Sequence, residues 1–417
     1  MTHKFYYQCN DCGKKIETNE VIYLCPDCEK ENTTSLPPKG VLRTYYNYEK
    51  IKSEHTKETL FAKLKEKHFI DILPVYNTAS FPDLKVGKTP LYCLDSIDGK
   101  PLSFELYLKD DSQNPTYSFK DRASIMVSAF AKDRKIETIV AASTGNAGSS
   151  LAGICAANKQ KAIIFVPAKA PKAKLTQIVM YGAKIIPVDG TYDNAFDLSI
   201  EVTKEFGWYN RNTAFNPITI EGKKTVSYEI FSKLNQQIPD YVFVPVGDGV
   251  IISGVYKGFE DLLKLGIINK MPIIVSVQAE GSNNINSNIN SNKFISKPSV
   301  TIADSISVDI PRNFYMTVKF IKEYNGECVT VSDKEIIEAS SVISRNYGIF
   351  SEPAASAATA GMLKYYSENK IPENSKVVVL LTGSGLKDLN SVQSIINIPT
   401  ALKPNLEELK KYLRCNI

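Results

Sequence analysis

The strongest constraint on this chain is a regular alternation between residues 138 and 210. Short β-branched or apolar runs at 138–142, 162–166, 184–188 and 208–210 are separated by longer helical stretches at 149–158, 173–181 and 192–206. Strands alternating with helices of this length call for right-handed crossovers and a parallel sheet. A second set follows at 241–246, 273–280, 326–331 and 376–381, with helices predicted at 219–233, after the segment 247–254 through 263, and from 333. The run at 241–246 is continuously apolar, as a strand buried on both faces must be. A further strand is predicted at 104–109, and Leu406, Leu409 and Leu413 lie at helical spacing in the tail. The expectation is an α/β fold with parallel-rich sheets.

At 417 residues the chain is long enough for two or three domains. The boundaries read from it are a cysteine ribbon at 1–35, the first part of a large domain at 36–130, a smaller βαβ domain at 131–225, and the remainder of the large domain at 226–417. Residues 29–39 are polar and proline-bearing and read as a linker. Residues 282–292 are almost entirely Ser and Asn around two Ile. So little apolar content predicts a mobile surface loop.

Cys9-x-x-Cys12 and Cys25-x-x-Cys28 are two knuckles with twelve residues between them. Each turn aims two thiolates at one centre, and two turns complete a tetrahedron. The spacing predicts one structural metal, zinc before iron, with no open ligand position. Reduced, unliganded thiols are the alternative. Cys93, Cys155, Cys328 and Cys415 are scattered and read as incidental thiols.

A net charge of +5 is too small and too dispersed to suggest nucleic acid, and no apolar run approaches a membrane span. The first residues lack the apolar core of a signal peptide, so the cytoplasm is the expected address. The only histidines are His3, His55 and His68, none at a useful spacing. Histidine triads and histidine-rich metal sites are therefore disfavoured, and proton transfer falls largely to Lys, carboxylates or a cofactor.

The stretch from Asn114 to Ser124 combines a turn and a helix start. Asn-Pro initiates turns, Ser118 is the expected N-cap, and Lys120 then falls in the first helical turn. The helix dipole is positive there, and burial beside Phe119 works the same way, so both lower the amine's pKa. Such a lysine is an amine nucleophile for a carbonyl. Two strand–glycine loop–helix units, at 143–148 and 247–254, have the form of anion cradles.

Ser118-Phe119-Lys120-Asp121-Arg122 after Asn114-Pro115-Thr116 resembles the cofactor-lysine motif of the threonine synthases and their relatives, the fold-type-II pyridoxal phosphate (PLP) enzymes. Tyr117 and Ala123 stand where that family usually has glycine. The family's other motifs are matched by Gly87-Lys88-Thr89-Pro90-Leu91, by Ser143-Thr144-Gly145-Asn146, by Phe350-Ser351-Glu352-Pro353, and by Thr382-Gly383-Ser384-Gly385-Leu386-Lys387-Asp388. The resemblance implies a two-domain PLP enzyme, usually a homodimer, in which Lys120 holds the cofactor as a Schiff base. It implies cofactor contacts from Phe119, Asn146, Thr382 and the phosphate loop Gly247, Asp248, Gly249, Val250 and Ile251. It places Ser143, Thr144 and Ala147 on the substrate carboxylate. Glu352 is either an acid/base group or a helix start.

The implied reaction is that of threonine synthase, O-phosphohomoserine plus water giving threonine plus phosphate. The alternatives are a β-replacement or β-elimination paralogue, such as cysteate synthase or an amino-acid ammonia-lyase, and a PLP-binding regulator without turnover. Residues 303–313 depart from the threonine synthase pattern towards the deaminase-like relatives. Arg312 and Arg122 are the candidate cations for a phosphate tail, and Tyr117 is placed to shorten the pocket.

Overall fold

The alternation between 138 and 210 forms one parallel sheet. Its strands run Lys184–Val188, Lys161–Pro167, Thr138–Ala142 and Tyr209–Asn210 in spatial order. The structure, a computed structural model, describes residues 3–395 and 398–416. Helices Asn146–Ala157, Lys172–Met180 and Tyr192–Phe206 connect these strands. The last is bounded by local chemistry: a capping box between Thr191 and Asn194 opens it, and Gly207 at φ +66° ends it. The first begins at Asn146, three residues earlier than its composition suggested.

The larger sheet has six strands, in the order Glu327–Val331, Ile273–Ala279, Tyr241–Pro245, Lys376–Leu381, Lys100–Asp110 and Leu91–Ile97. The first five are parallel; Leu91–Ile97, not anticipated from sequence, adds antiparallel at the edge. Val242, Phe243, Val244 and Val377 to Leu381 are fully buried, as central parallel strands require. The helix expected at 219–233 is two helices, Ile218–Lys223 and Thr225–Lys233.

A third sheet joins Lys15–Ile16, Phe5–Cys9 and Leu42–Tyr46, all antiparallel. It crosses the boundary expected at residue 35, because Leu42–Tyr46 completes it. This sheet is tied into the rest of the molecule by buried polar contacts. The Tyr46 hydroxyl donates to Glu221 at 2.5 Å, the Tyr48 hydroxyl to Asp261 at 2.5 Å, and Arg43 lies 3.9 Å over the Phe320 ring.

The Ser/Asn-rich stretch is not a mobile surface loop. Ile285 is fully buried, and Ser282, Asn284 and Asn288 are nearly so. Asn284 Nδ2 donates to Lys297 O at 2.8 Å, Asn286 Nδ2 to Val329 O at 3.0 Å, and Gln278 Oε1 accepts from the Ile285 and Asn286 amides at 3.1 and 2.8 Å. Asparagine amides satisfy irregular backbone from both ends, so the segment packs without an apolar face. The helix Leu406–Asn416 forms as expected, with Leu406, Leu409 and Leu413 exposed. Among the described residues no helix is long and apolar enough to cross a membrane.

Candidate active site

The lysine turn is built by its own side chains. The Thr116 amide and hydroxyl donate to Asp121 at 2.8 and 2.5 Å, so Asp121 is occupied and does not pair with Lys120. Tyr117 adopts φ +67°, the left-handed conformation that explains glycine at this position in relatives of the motif. Ser118 is not the cap. Its backbone forms a bridge to Gly383, and the Phe119 amide donates to Thr382 O at 2.8 Å. That pairing pulls Ser118 into an extended segment and leaves its hydroxyl buried without a partner. The helix starts at Lys120 and runs to Asp133. Thus the Thr382 turn lies directly against the lysine turn.

Lys120 faces a cavity of about 560 Å³ between the two parallel sheets. Ser143, Thr144, Asn146 and Ala147 line one side, and Gly247, Asp248, Gly249, Val250 and Ile251 the other. Phe119 and Thr382 do not line it; both are buried behind the lysine. Helices Asn146–Ala157 and Val250–Lys264 open on this cavity, and neither has a side-chain cap. Their first-turn N–H groups are therefore available to anions. Gly249 is required where it stands. Its φ is +84°, and a Cβ there would meet Thr317 Oγ1 at 2.1 Å. The Asp248 carboxylate accepts from the Arg312 amide at 3.0 Å.

Behind the lysine, Glu352 accepts from Asn146 Nδ2 at 3.0 Å through both oxygens and packs against Gly383. Burial raises the Glu352 carboxyl, while Asn146 and Lys120 oppose the shift. Burial lowers the Lys120 ammonium, Glu352 and Asp248 oppose it, and Arg211 adds to it.

Arg211 and Lys223 line the cavity and had no signal in the motifs. Each is 1% exposed. Arg211 Nε donates to Ser124 Oγ at 3.3 Å, and one of its terminal nitrogens is buried without a partner. Burial draws the guanidinium down to about 10. The available clue was position: Arg211 follows the carboxyl end of Tyr209–Asn210, where parallel sheets bind ligands.

Two expectations about substrate residues are corrected. Arg122 does not reach the cavity. Its Nε lies 2.5 Å from Asp111, and its terminal nitrogens lie 2.7 and 2.8 Å from Glu229. Tyr117 does not shorten the pocket, since its left-handed backbone turns the ring outward to 53% exposure. Arg312 does line the cavity, stacked 4.3 Å over Phe196 and paired with Asp193 at 2.7 Å.

The four ribbon cysteines converge. The sulfurs of Cys9, Cys12, Cys25 and Cys28 all lie within 4.8 Å of one another, with Cys9–Cys28 at 3.7 Å and Cys12–Cys25 at 3.8 Å. Tetrahedral zinc with bonds of about 2.3 Å needs sulfurs about 3.8 Å apart. Exposed Thr34, in the segment read as a linker, lines the cavity. Of the other thiols, Cys155 is buried, Cys328 half-buried and Cys93 exposed; the Cys415 side chain lies outside the described residues.

Comparison with known proteins agrees with this geometry. The family pyridoxal-phosphate dependent enzyme matches residues 83–383. Threonine synthase of Methanocaldococcus jannaschii is 34% identical over 98% of this chain and 99% of its own length. That of Methanosarcina acetivorans is 32% identical over 98% of each chain. That of Halalkalibacterium halodurans is 35% identical over 82% of this chain and 94% of its own. The fold is similar to threonine deaminase isoform 2 from Solanum lycopersicum, with a TM-score of 0.66 and 20% identity over 92% of this chain and 99% of that one.

Proposed function

This chain belongs to the pyridoxal-phosphate dependent enzymes and, within them, groups with the threonine synthases, and on that premise we propose that it converts O-phosphohomoserine and water into threonine and phosphate. The observation that carries this reading is one cavity joining a lysine with no carboxylate in ion-pair contact among the described residues to two uncapped helix N-termini and a half-satisfied arginine. Such a cavity has positions for an aldehyde cofactor and for more than one anion.

The residues fit the cofactor. Lys120 supplies the amine, and 247–251 presents uncapped N–H groups to its phosphate. Asn146 and Glu352 stand at one edge and Thr382 behind the lysine. When bound, PLP supplies the electron sink for carbon–hydrogen cleavage and loss of a leaving group. The chain's own residues do the rest. Ser143, Thr144 and Ala147 present hydroxyl and backbone donors to the substrate carboxylate at a helix N-terminus. Burial favours the neutral amine of Lys120, which suits it to take a proton from carbon and return it one carbon further along. Glu352 sets the local charge beside that amine. Arg211 offers its unused donor to the departing phosphate.

The ribbon holds one structural zinc through Cys9, Cys12, Cys25 and Cys28, supported by the sulfur spacing. Four unbridged thiols at such a site suit a reducing compartment, and the cytoplasm is the proposed address. A homodimer is proposed for the assembly. Exposed Tyr92 in the edge strand Leu91–Ile97 and exposed Leu386 beside it support it. Phosphate release from O-phosphohomoserine, against O-phosphoserine and diaminopropionate, tests the reaction. Turnover of a β-substituted substrate with O-phosphohomoserine inert would replace this reading by that of a β-elimination or β-replacement enzyme.

A further inference from the structure

Four lysines of the described chain are buried to 1% exposure or less: Lys109, Lys223, Lys224 and Lys257. Three are ion-paired. Lys109 lies 2.7 Å from Glu229, Lys224 lies 2.7 Å from Asp261, and Lys257 also pairs with Asp261. Lys223 is the exception. Its amine has only the Thr213 hydroxyl, at 3.1 Å, and it faces the cavity. A buried ammonium without an anion is costly, and here burial, Lys120 and Arg211 all push its proton off, with only Asp248 opposing.

Lys223 also stands at a specific place. The short helix Ile218–Lys223 is wedged between the lysine helix and the helix Val250–Lys264. On one side, a Cβ on Gly222 would meet Arg122 O at 1.9 Å. On the other, a Cβ on Gly254 would meet Lys223 Cβ at 2.6 Å. Gly254 lies one turn along from Val250, so Lys223 is anchored beside the second turn of the helix that opens at 247–251, with its amine facing the cavity. That loop carries Asp248, a carboxylate that repels a dianion. Backbone donors and a helix N-terminus, worth about half a charge, do not offset both. A cation close to this loop offsets the remainder, and Lys223, anchored beside it with no carboxylate within ion-pair distance among the described residues, is placed to supply it.

We propose that Lys223 binds the phosphate of the cofactor, donating to it from the cavity floor and offsetting Asp248 in the 247–251 loop. This rests on the PLP reading above and adds a residue to it. The lysine keeps its proton when the phosphate is present, and Thr213 orients the amine towards it.

The test uses full-length protein stripped of cofactor and titrated with PLP and with pyridoxal, which lacks the phosphate. Binding is read by protein fluorescence and visible absorbance. Lys223→Met should weaken PLP by about 10- to 100-fold, the usual effect of one charge-assisted hydrogen bond. It should leave pyridoxal affinity within about 3-fold. Lys223→Arg should recover most of the loss. Lys223→Gln, which keeps length and polarity without charge, is measured alongside so that a folding defect in one variant does not decide the result. PLP affinity should also fall with added salt more in wild type than in Lys223→Met, because the variant has one less charge to screen. Equal loss for PLP and pyridoxal, or no loss for either, overturns the proposal. An unchanged PLP affinity with a raised KM for O-phosphohomoserine also overturns it, placing the amine on the substrate phosphate instead. If the wild-type protein binds neither aldehyde, the PLP reading itself fails, a result distinct from all of these.

Discussion

Replacing Arg122 by Met tests whether this arginine holds the fold or the substrate. Arg122 is 1% exposed and spans two carboxylates, Asp111 at 2.5 Å and Glu229 at 2.7 Å. Burial pushes the Glu229 carboxyl up, but Arg122 and Lys109 overcome this and hold it at about 2, against an ordinary 4.5. At 1.36 kcal/mol per pKa unit the depression amounts to about 3 kcal/mol. Because the folded pKa is depressed, this stabilisation is complete above about pH 5 and is lost as pH falls towards 2. Removing the guanidinium strips the fully buried Asp111 carboxylate of its cation and leaves the half-buried Glu229 with Lys109 alone, and breaking such a buried pair typically costs about 3–5 kcal/mol. Arg122→Met should therefore lose about 3–5 kcal/mol in urea unfolding at pH 7. The deficit should narrow by about 1 kcal/mol at pH 4, where the wild type begins to lose the Glu229 contribution. A deficit below about 1 kcal/mol, or one that is flat with pH, would refute the ion-pair account. A stable variant with KM raised for O-phosphohomoserine alone would return Arg122 to the substrate.

Three further predictions bear on the site and the ribbon. Lys120→Ala should lose the visible absorbance of the bound cofactor, and borohydride reduction of the wild type followed by peptide mapping should label Lys120; label on another lysine refutes the assignment. Gly249→Ala should cost about 2–4 kcal/mol in unfolding free energy and weaken PLP binding, since it combines left-handed strain with a clash on Thr317. The added variant Thr317→Ser should not rescue it, because the near contact is the hydroxyl. Protein purified without chelator should contain about one zinc per chain by elemental analysis, and Cys9→Ser should lower thermal stability while sparing the cofactor's spectrum; metal-free wild type of full stability would count against the site.

The elements were legible from sequence because apolar periodicity reports which face of a segment is buried. The strands Lys184–Val188 and Lys376–Leu381 and the helix Tyr192–Phe206 lie where the pattern put them. That Lys120 and the two strand–glycine loop–helix units would meet, and that the four cysteines would converge, was legible for a related reason: each motif sets particular residues close together in the chain. Composition misled at 282–292, where asparagine side chains do the packing that apolar groups do elsewhere. Periodicity missed the edge strand Leu91–Ile97, in which only Leu94 and Ile97 are buried and no alternation marks a face.

What only the tertiary structure decided is which charges are spent. Asp121 and Arg122 lie in the lysine motif and Arg211 and Lys223 lie in none, and the sequence does not say which of the four charges is neutralised. Folding pairs Asp121 with Thr116 and Arg122 with Asp111 and Glu229, some over a separation of 107 residues. It leaves Arg211 and Lys223 facing the cavity without a carboxylate. A local pattern determines where a side chain lies along its own helix or strand. Whether a buried charge is neutralised by the protein or left for a ligand depends on the other elements that fold against it.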